Sequence, residues 1–512
     1  MPEYLHPGVY IEEIERGPRP IEGVPTSTSA FLGETERGTL TPTLVTSYKD
    51  YQRWFGGVFD KSCYMPNAVA GFFENGGKRL YVSRITGPGG TPASKDIGNG
   101  FTVTAVGPGA WGLRVWIRVR EGSTTDKDNK KGFRLQLAYW TKPGAVFDPF
   151  AEPTRLPRPQ ITEDYDDLSI DQLSSDYFEK RMLDTATNES VSPLITLTGP
   201  IGATDNPSVA DGDFLGTDGN EPPVPGVADF NPTDREQGLA ALDLDPYRDV
   251  SLMYAPCPRK EPTEIAKAIF DHCEARKFCF SVIDAPAETP PGQLDPRVSN
   301  KWDTQFAAFY TPWIVTSDPL TGARVRVPPG GHMLGIYART DAERGVFKAP
   351  ANEVVRGALD VRFEINDGTQ DVLNPRGVNA IRVFPTRGIR VWGARTLSSN
   401  GLWKYVSVRR LFIFIERSIY EGTQWVVFEP NDDKLWARVK DTIRLFLRSQ
   451  WRGGALLGRT EDEAFFITCD RTTMSQDDIL NGRLICEIGI APVRPAEFVI
   501  FRIFQNTAEA QR

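Results

Sequence analysis

The feature that most restricts this fold is an α/β rhythm that stops and later resumes. Between residues 26 and 85, short apolar runs alternate with helical spacing. Residues 30–33 read as a buried strand. Residues 47–55 read as a helix, with Tyr48, Tyr51 and Trp54 spaced at three. Residues 67–74 read as a second helix, ended by Gly76-Gly77, and 79–85 as the next strand. Residues 87–100 are then a Gly/Pro/Ser linker. Strand patterns at 101–106, 113–120 and 133–140 lead into a loop-rich acidic stretch that runs to Pro225, with one helix pattern near 171–183. The rhythm returns at Asn231: strand 250–254, helix 262–276 with Ile265, Ala268, Ile269 and Cys273 on one side, strand 278–283, a helix near 302–309, and strand 313–316. At 512 residues the chain has length for about two to four domains. The interrupted rhythm predicts a multidomain α/β (α+β) protein. Its frame comes from both ends of the chain, with a mostly β domain inserted over 96–225.

The two ends are unusual. Pro7-Gly8-Val9-Tyr10-Ile11-Glu12-Glu13-Ile14 alternates like a strand and lies among Pro2, Pro18, Pro20 and Pro25. Such a segment cannot fold alone. Either it packs on its own domain or it lends a strand elsewhere. Strand patterns also occur at 465–469, 484–490 and 498–504, the last almost at the final residue. The clearest helix covers 432–449, capped by Asp432 or Asp433. Leu435, Trp436, Val439, Ile443, Phe446 and Leu447 share one sector of it. Lys434, Arg438, Arg444 and Arg448 lie opposite, with Asp441 the one acid on that side.

Charge follows the same division. The total is −8, too mild to imply a nucleic-acid binder. Residues 161–225 hold 14 acidic and 2 basic side chains, a net of −12; residues 376–452 hold 15 basic and 6 acidic, a net of +9. Partners are set by these two regions rather than by the sum. Hydrophobic residues at 40% and charged residues at 25% indicate a globular chain. The start carries no secretory pattern and no apolar run approaches a membrane span, so direct membrane insertion is not expected. Six sparse cysteines read as free thiols in a reducing compartment.

Chemical motifs are weak. Gly107-Pro-Gly109-Ala-Trp111-Gly112 fits a dinucleotide fingerprint on paper, but an alternating strand follows where a helix is required, so it reads as a turn. His272-Cys273 with Cys279 lacks a fourth metal ligand and reads as packing. His6 and His332 have no nucleophile beside them. No catalytic, cofactor-binding or metal residue is assigned. Paired acids such as Asp166 and Asp167 keep open an alternative: a hydrolase-type enzyme using acids of the 161–225 region.

Several long runs are similar to one family. They are Pro7-Gly8-Val9-Tyr10-Ile11-Glu12-Glu13, Ile21-Glu22-Gly23-Val24-Pro25-Thr26-Ser27, Phe31-Leu32-Gly33 and the Gly109-to-Gly112 turn. Further on come Tyr310-Thr-Pro-Trp313, Pro328-Pro-Gly-Gly, the run from Gly335 to Gly345, and Lys348-Ala-Pro-Ala-Asn352. Leu373-Asn-Pro-Arg-Gly-Val-Asn379, Gly388 to Thr396 and Val408-Arg-Arg-Leu-Phe412 complete them. The chain resembles the contractile tail sheath family of phage tails, tailocins and extracellular injection systems. The resemblance implies a non-enzymatic structural subunit without cofactors. Such a subunit polymerises around an inner tube and contracts to drive the tube through a target envelope. The implied partners are other copies, the inner tube, and baseplate and terminal cap proteins, but not nucleic acid. Assembly in the bacterial cytoplasm into a tail or injection particle is implied. So is strand exchange by an N-terminal arm (Gly8, Val9, Tyr10, Ile11) and a C-terminal strand (Phe498, Ile500, Arg502). The basic helix face of Lys434, Arg438, Arg444 and Arg448 is expected to meet the tube. The expected layout is an arm at 1–25, core at 26–95, outer insertion at 96–225, an α/β middle at 226–370, a tube-facing C-terminal core at 371–491 and an arm at 492–512.

Overall fold

The structure is a computed structural model that describes residues 20–125, 131–142, 147–184, 190–318 and 321–502. Its largest element is an eight-stranded sheet. The strands are β1 (Ser29–Gly33), β2 (Thr43–Val45), β3 (Leu80–Arg84), β4 (Leu252–Tyr254), β5 (Phe280–Asp284), β6 (Ala307–Thr311), β7 (Val378–Phe384) and β8 (Gly388–Val391). Their order is β8-β7-β6-β5-β4-β1-β3-β2. The six central strands run parallel and each edge strand is antiparallel. Ser29 pairs in register with both Leu80 and Leu252, so strands from either side of the insertion lie against the same strand. β1, β3 and β6 are buried along their whole length, as expected of strands covered on both faces.

Helices Tyr48–Phe55, Met65–Glu74 and Pro262–Arg276 form where the spacing predicts them. The Gly330–Arg344 helix does not announce itself, because eleven of its residues are buried and no polar stripe remains to mark a period. Its glycines explain its position. A Cβ at Gly331 would lie 2.3 Å from the Ala68 carbonyl oxygen, and one at Gly335 would lie 2.4 Å from that of Phe72. The helix therefore meets Met65–Glu74 backbone against backbone, through glycines one turn apart.

Two expected helices are corrected. Residues 302–309 run into β6, the strand between β5 and β7. A short apolar run has no period of its own to separate helix from buried strand, and pairing with residues far along the chain decides. Within 171–183 only Phe178–Met182 is helical. Before it, Ser169, Asp171 and Ser174 side chains accept from the backbone amides of Asp171, Leu173 and Asp176, which favours turns over helix.

The insertion contains two four-stranded sheets that share one apolar core. Phe101, Val103 and Leu197 of one sheet region join Ile117, Val119, Phe133 and Leu135 of the other, closed by Phe178. Buried polar groups tie it to the main sheet. Arg84 donates to the carbonyls of Gly38 and Pro108, and Tyr139 donates to Glu36 at 2.6 Å.

The described residues divide into two compact units. One is Pro25–Arg409; the other joins the residues before Pro25 to those from Arg410 onwards. The expected boundary at 370/371 is therefore displaced, since β7 and β8 complete the main sheet. The β6–β7 pairing that recruits them spans a long gap and leaves no local mark in the sequence. The second unit holds most of helix Val406–Gly422, helix Asp433–Arg452 and a hairpin of Phe465–Thr468 with Glu487–Ile490. Among the described residues no helix is long and apolar enough to cross a membrane.

Candidate assembly surfaces

The Asp433–Arg452 helix begins as expected. Asp432 adopts extended backbone and its carboxylate accepts from the Leu435 amide at 2.9 Å, while Asp433 complements the positive end of the helix. Leu435, Trp436, Val439, Thr442, Ile443, Phe446 and Leu447 are buried. The basic face is less bare than the helix alone suggests. Arg438 pairs with Glu429 at 3.6 Å and lies 4.6 Å over the Trp425 ring. Arg444 and Arg448 share Glu461, at 3.2 and 2.7 Å. These acids come from segments before and after the helix, so a helical wheel cannot show them. Glu461 is held below the usual carboxylate range, chiefly by the hydrogen bond from Arg448. One carboxylate serving two guanidiniums leaves the strip with a positive excess.

Gly8, Val9, Tyr10 and Ile11 lie outside the described residues. The chain is first seen at Pro20, running along helix Val406–Gly422. Ile21 packs on Gly422, Gly23 on the Phe414 ring, and the Val24 amide donates to Ser418 Oγ at 3.2 Å. At the other end Val493 donates to Ala455. Beyond it the described chain joins no ladder. Phe498, Val499, Ile500 and Phe501 are between 68% and 83% exposed, and Arg502 is exposed too. The alternation that marks 498–504 as a strand thus belongs to a segment with no partner strand among the described residues.

Among the described residues the hairpin sheet stops at two strands, each with one edge lacking a neighbouring strand. Phe466 lies across Gly489 and remains 59% exposed; a Cβ at Gly489 would strike its ring at 2.0 Å. Of 26 large exposed hydrophobics among the described residues, 12 fall on 410–502. This concentration makes the smaller unit a candidate interaction surface.

The enzyme reading fails on its own residues. Asp166 accepts from the Ser123 amide and Asp167 from the Thr124 amide, which pins a strand end. Asp164 is bound by Arg134 and Gln136, and Glu163 accepts from Ser192. These acids maintain a sheet, and none lines the cavity of about 680 Å³ at the carboxyl ends of β4–β6. The Gly107–Gly112 turn leads into a 3₁₀ turn and then a strand. A Cβ at Gly107 would lie 2.2 Å from the Gly38 carbonyl oxygen, so the glycine serves packing. Cys273 and Cys279 are buried, and His272 lies 3.4 Å from Asp243. Among the described residues no group of three or more His, Cys, Asp and Glu side chains could hold a metal.

Comparison with known proteins gives the family. A model of the phage tail sheath protein central domain matches residues 232–397, and one of the phage tail sheath C-terminal domain matches 398–506. Together they span more than half of the chain, which belongs to the tail sheath family, a family of structural proteins rather than enzymes. A prophage major tail sheath protein of Pseudomonas aeruginosa is 27% identical over 228 residues, covering 44% of this chain and 57% of that one. The chain spans about half the length of the curated relatives it matches first. Among solved structures, the contracted sheath complex of the extracellular contractile injection system PVC aligns over 100% of both chains, at 24% identity and a TM-score of 0.58. The contracted helical sheath of the anti-feeding prophage covers 98% of this chain and 99% of that one, at 25% identity and a TM-score of 0.59.

Proposed function

We propose that this chain is the repeating subunit of a contractile sheath. Copies polymerise around an inner tube and rearrange into a shorter, wider lattice that drives the tube through a target envelope. The observation that carries this reading is the smaller unit: it gathers both chain ends, and among its described residues it holds an exposed apolar C-terminal segment outside any ladder and a two-stranded sheet. A sheet with free edges among the described residues and an extended segment outside any ladder are complementary halves of β-augmentation. The arms of neighbours, carrying Gly8–Ile11 and Phe498–Arg502, add to the hairpin of Phe465–Thr468 and Glu487–Ile490 and link the subunits into a mesh. Links of this kind hold copies together while rigid-body contacts change.

The basic strip of Lys434, Arg438, Arg444 and Arg448 faces an acidic tube, and the acidic insertion lies on the outside. Baseplate and terminal cap proteins bound the polymer, which assembles in the bacterial cytoplasm into a tail or injection particle. The test is deletion of residues 1–20. The expected product is a folded monomer that forms no tubules by electron microscopy; normal tubules would refute the exchange of arms.

A further inference from the structure

The hairpin register is antiparallel: Phe465 opposes Ile490, Phe466 opposes Gly489, Ile467 opposes Ile488 and Thr468 opposes Glu487. Continued by one residue, it sets Cys469 opposite Cys486. Directly opposed residues of an antiparallel pair have Cα atoms about 4.5–5.5 Å apart, within the span a disulfide bridges. We propose that Cys469 and Cys486 are a redox site: they form a reversible cross-strand disulfide by exchange with a low-molecular-weight disulfide, stapling the base of the 470–485 excursion.

Three observations carry this. The two thiols lie close enough to shift each other's ionisation. Access is one-sided, because Cys469 is buried at 2% exposure whereas Cys486 is half-buried between exposed Ile485 and Glu487. And the pair favours one thiolate. The hydrogen bond from Cys486 holds the Cys469 thiol below its usual range and Lys440 adds to the effect, while Cys486 is pushed up. The other cysteines differ. Cys273 and Cys279 also touch but are fully buried, Cys63 is buried, and burial raises the Cys257 thiol to about 12.

The exchange balances. Cys486 gives its proton to solvent and attacks one sulfur of the small disulfide. A mixed disulfide forms at Cys486 and one small thiolate leaves. The Cys469 thiolate then attacks the Cys486 sulfur and expels the second small thiolate. Two protein sulfurs are oxidised and one small disulfide is reduced to two thiolates, which take their protons from solvent. In a reducing compartment the reverse reaction keeps the hairpin open; on release from it the hairpin closes.

The pair lies within one chain, so the test does not depend on polymerisation. The folded full-length protein is incubated with oxidised glutathione, quenched in acid, alkylated and digested for mass spectrometry. The expected product joins the Cys469 and Cys486 peptides with loss of two hydrogens, reverts with dithiothreitol, and leaves Cys273 and Cys279 alkylated. In Cys469→Ser, glutathione should persist on Cys486, because no second thiol resolves it. Both cysteines alkylated in the wild type, or Cys273–Cys279 linked first, would overturn the proposal; so would the absence of an adduct on Cys486 in Cys469→Ser.

Discussion

The main sheet and the C-terminal unit solve opposite problems. In the sheet every central strand has two neighbours, and the Gly330–Arg344 helix is seated by glycines that touch backbone. In the C-terminal unit a sheet stops at two strands, aromatic residues stand in solvent and the last described residues pair with nothing in a ladder. The first region is complete within one chain; on the proposed reading, neighbouring copies complete the second. Substitutions should therefore damage folding in one region and assembly in the other.

The hardest test of this contrast is Gly335→Leu. With a carbonyl 2.4 Å from the new Cβ, the side chain cannot fit without separating two helices, and a loss of about 3 kcal/mol or more is expected. The measurement is soluble yield and denaturant unfolding, and an unchanged midpoint would break the comparison.

The next test is pH. Burial raises Asp284 to about 7; it accepts from Tyr254 and from the Gly330 amide. The unfolded acid titrates near 4, so the folded form holds its proton longer. Its contribution is fully present below about pH 4, is lost as pH rises, and is gone above about 7, a span of about 4 kcal/mol. Burial lowers His332 to about 4, and its contribution has the opposite sign: present above about 6.5 and lost as pH falls towards 4. The two slopes oppose each other in the wild type. Asp284→Asn, which mimics the protonated acid, should unmask stability that rises with pH between about 4 and 7. A flat profile in that variant would show that His332 is not held neutral by burial.

Smaller effects on folding, with larger ones on assembly, are expected at the ends. Phe498→Asp with Ile500→Asp should move monomer stability by no more than about 0.5 kcal/mol, since both side chains are exposed, yet abolish tubules. A matching loss of monomer stability would mean that the segment already packs on its own chain. The smallest effect on folding belongs to Arg444→Glu with Arg448→Glu. The unfolding midpoint should stay in place, while assembly on an acidic tube falls on the order of tenfold, more at low salt than at high. Undiminished assembly would turn this face away from the tube.

Particular elements show what was legible. The Asp433–Arg452 helix was readable because amphipathic spacing, cap and dipole charges all agree within twenty residues. The Gly330–Arg344 helix was not, because burial on all sides erases the period. The basic strip could be read from spacing, whereas Glu429 and Glu461, which temper it, could not. The same holds for Cys469 and Cys486. In the sequence they are two sparse thiols, and only the hairpin register brings them face to face.

Local chemistry by itself determined the interrupted α/β rhythm, the inserted acidic region and the amphipathic helix, since each rests on residues a few positions apart. The tertiary structure alone decided that residues 307–311 are a strand, that β7 and β8 complete the main sheet, and that Asp164, Asp166 and Asp167 are spent on an ion pair and backbone amides. The physical reason is range. A turn of helix is closed by neighbours in sequence, but a strand's partner, a carboxylate's cation and a cysteine's opposite number are supplied by whichever distant segment the fold brings alongside.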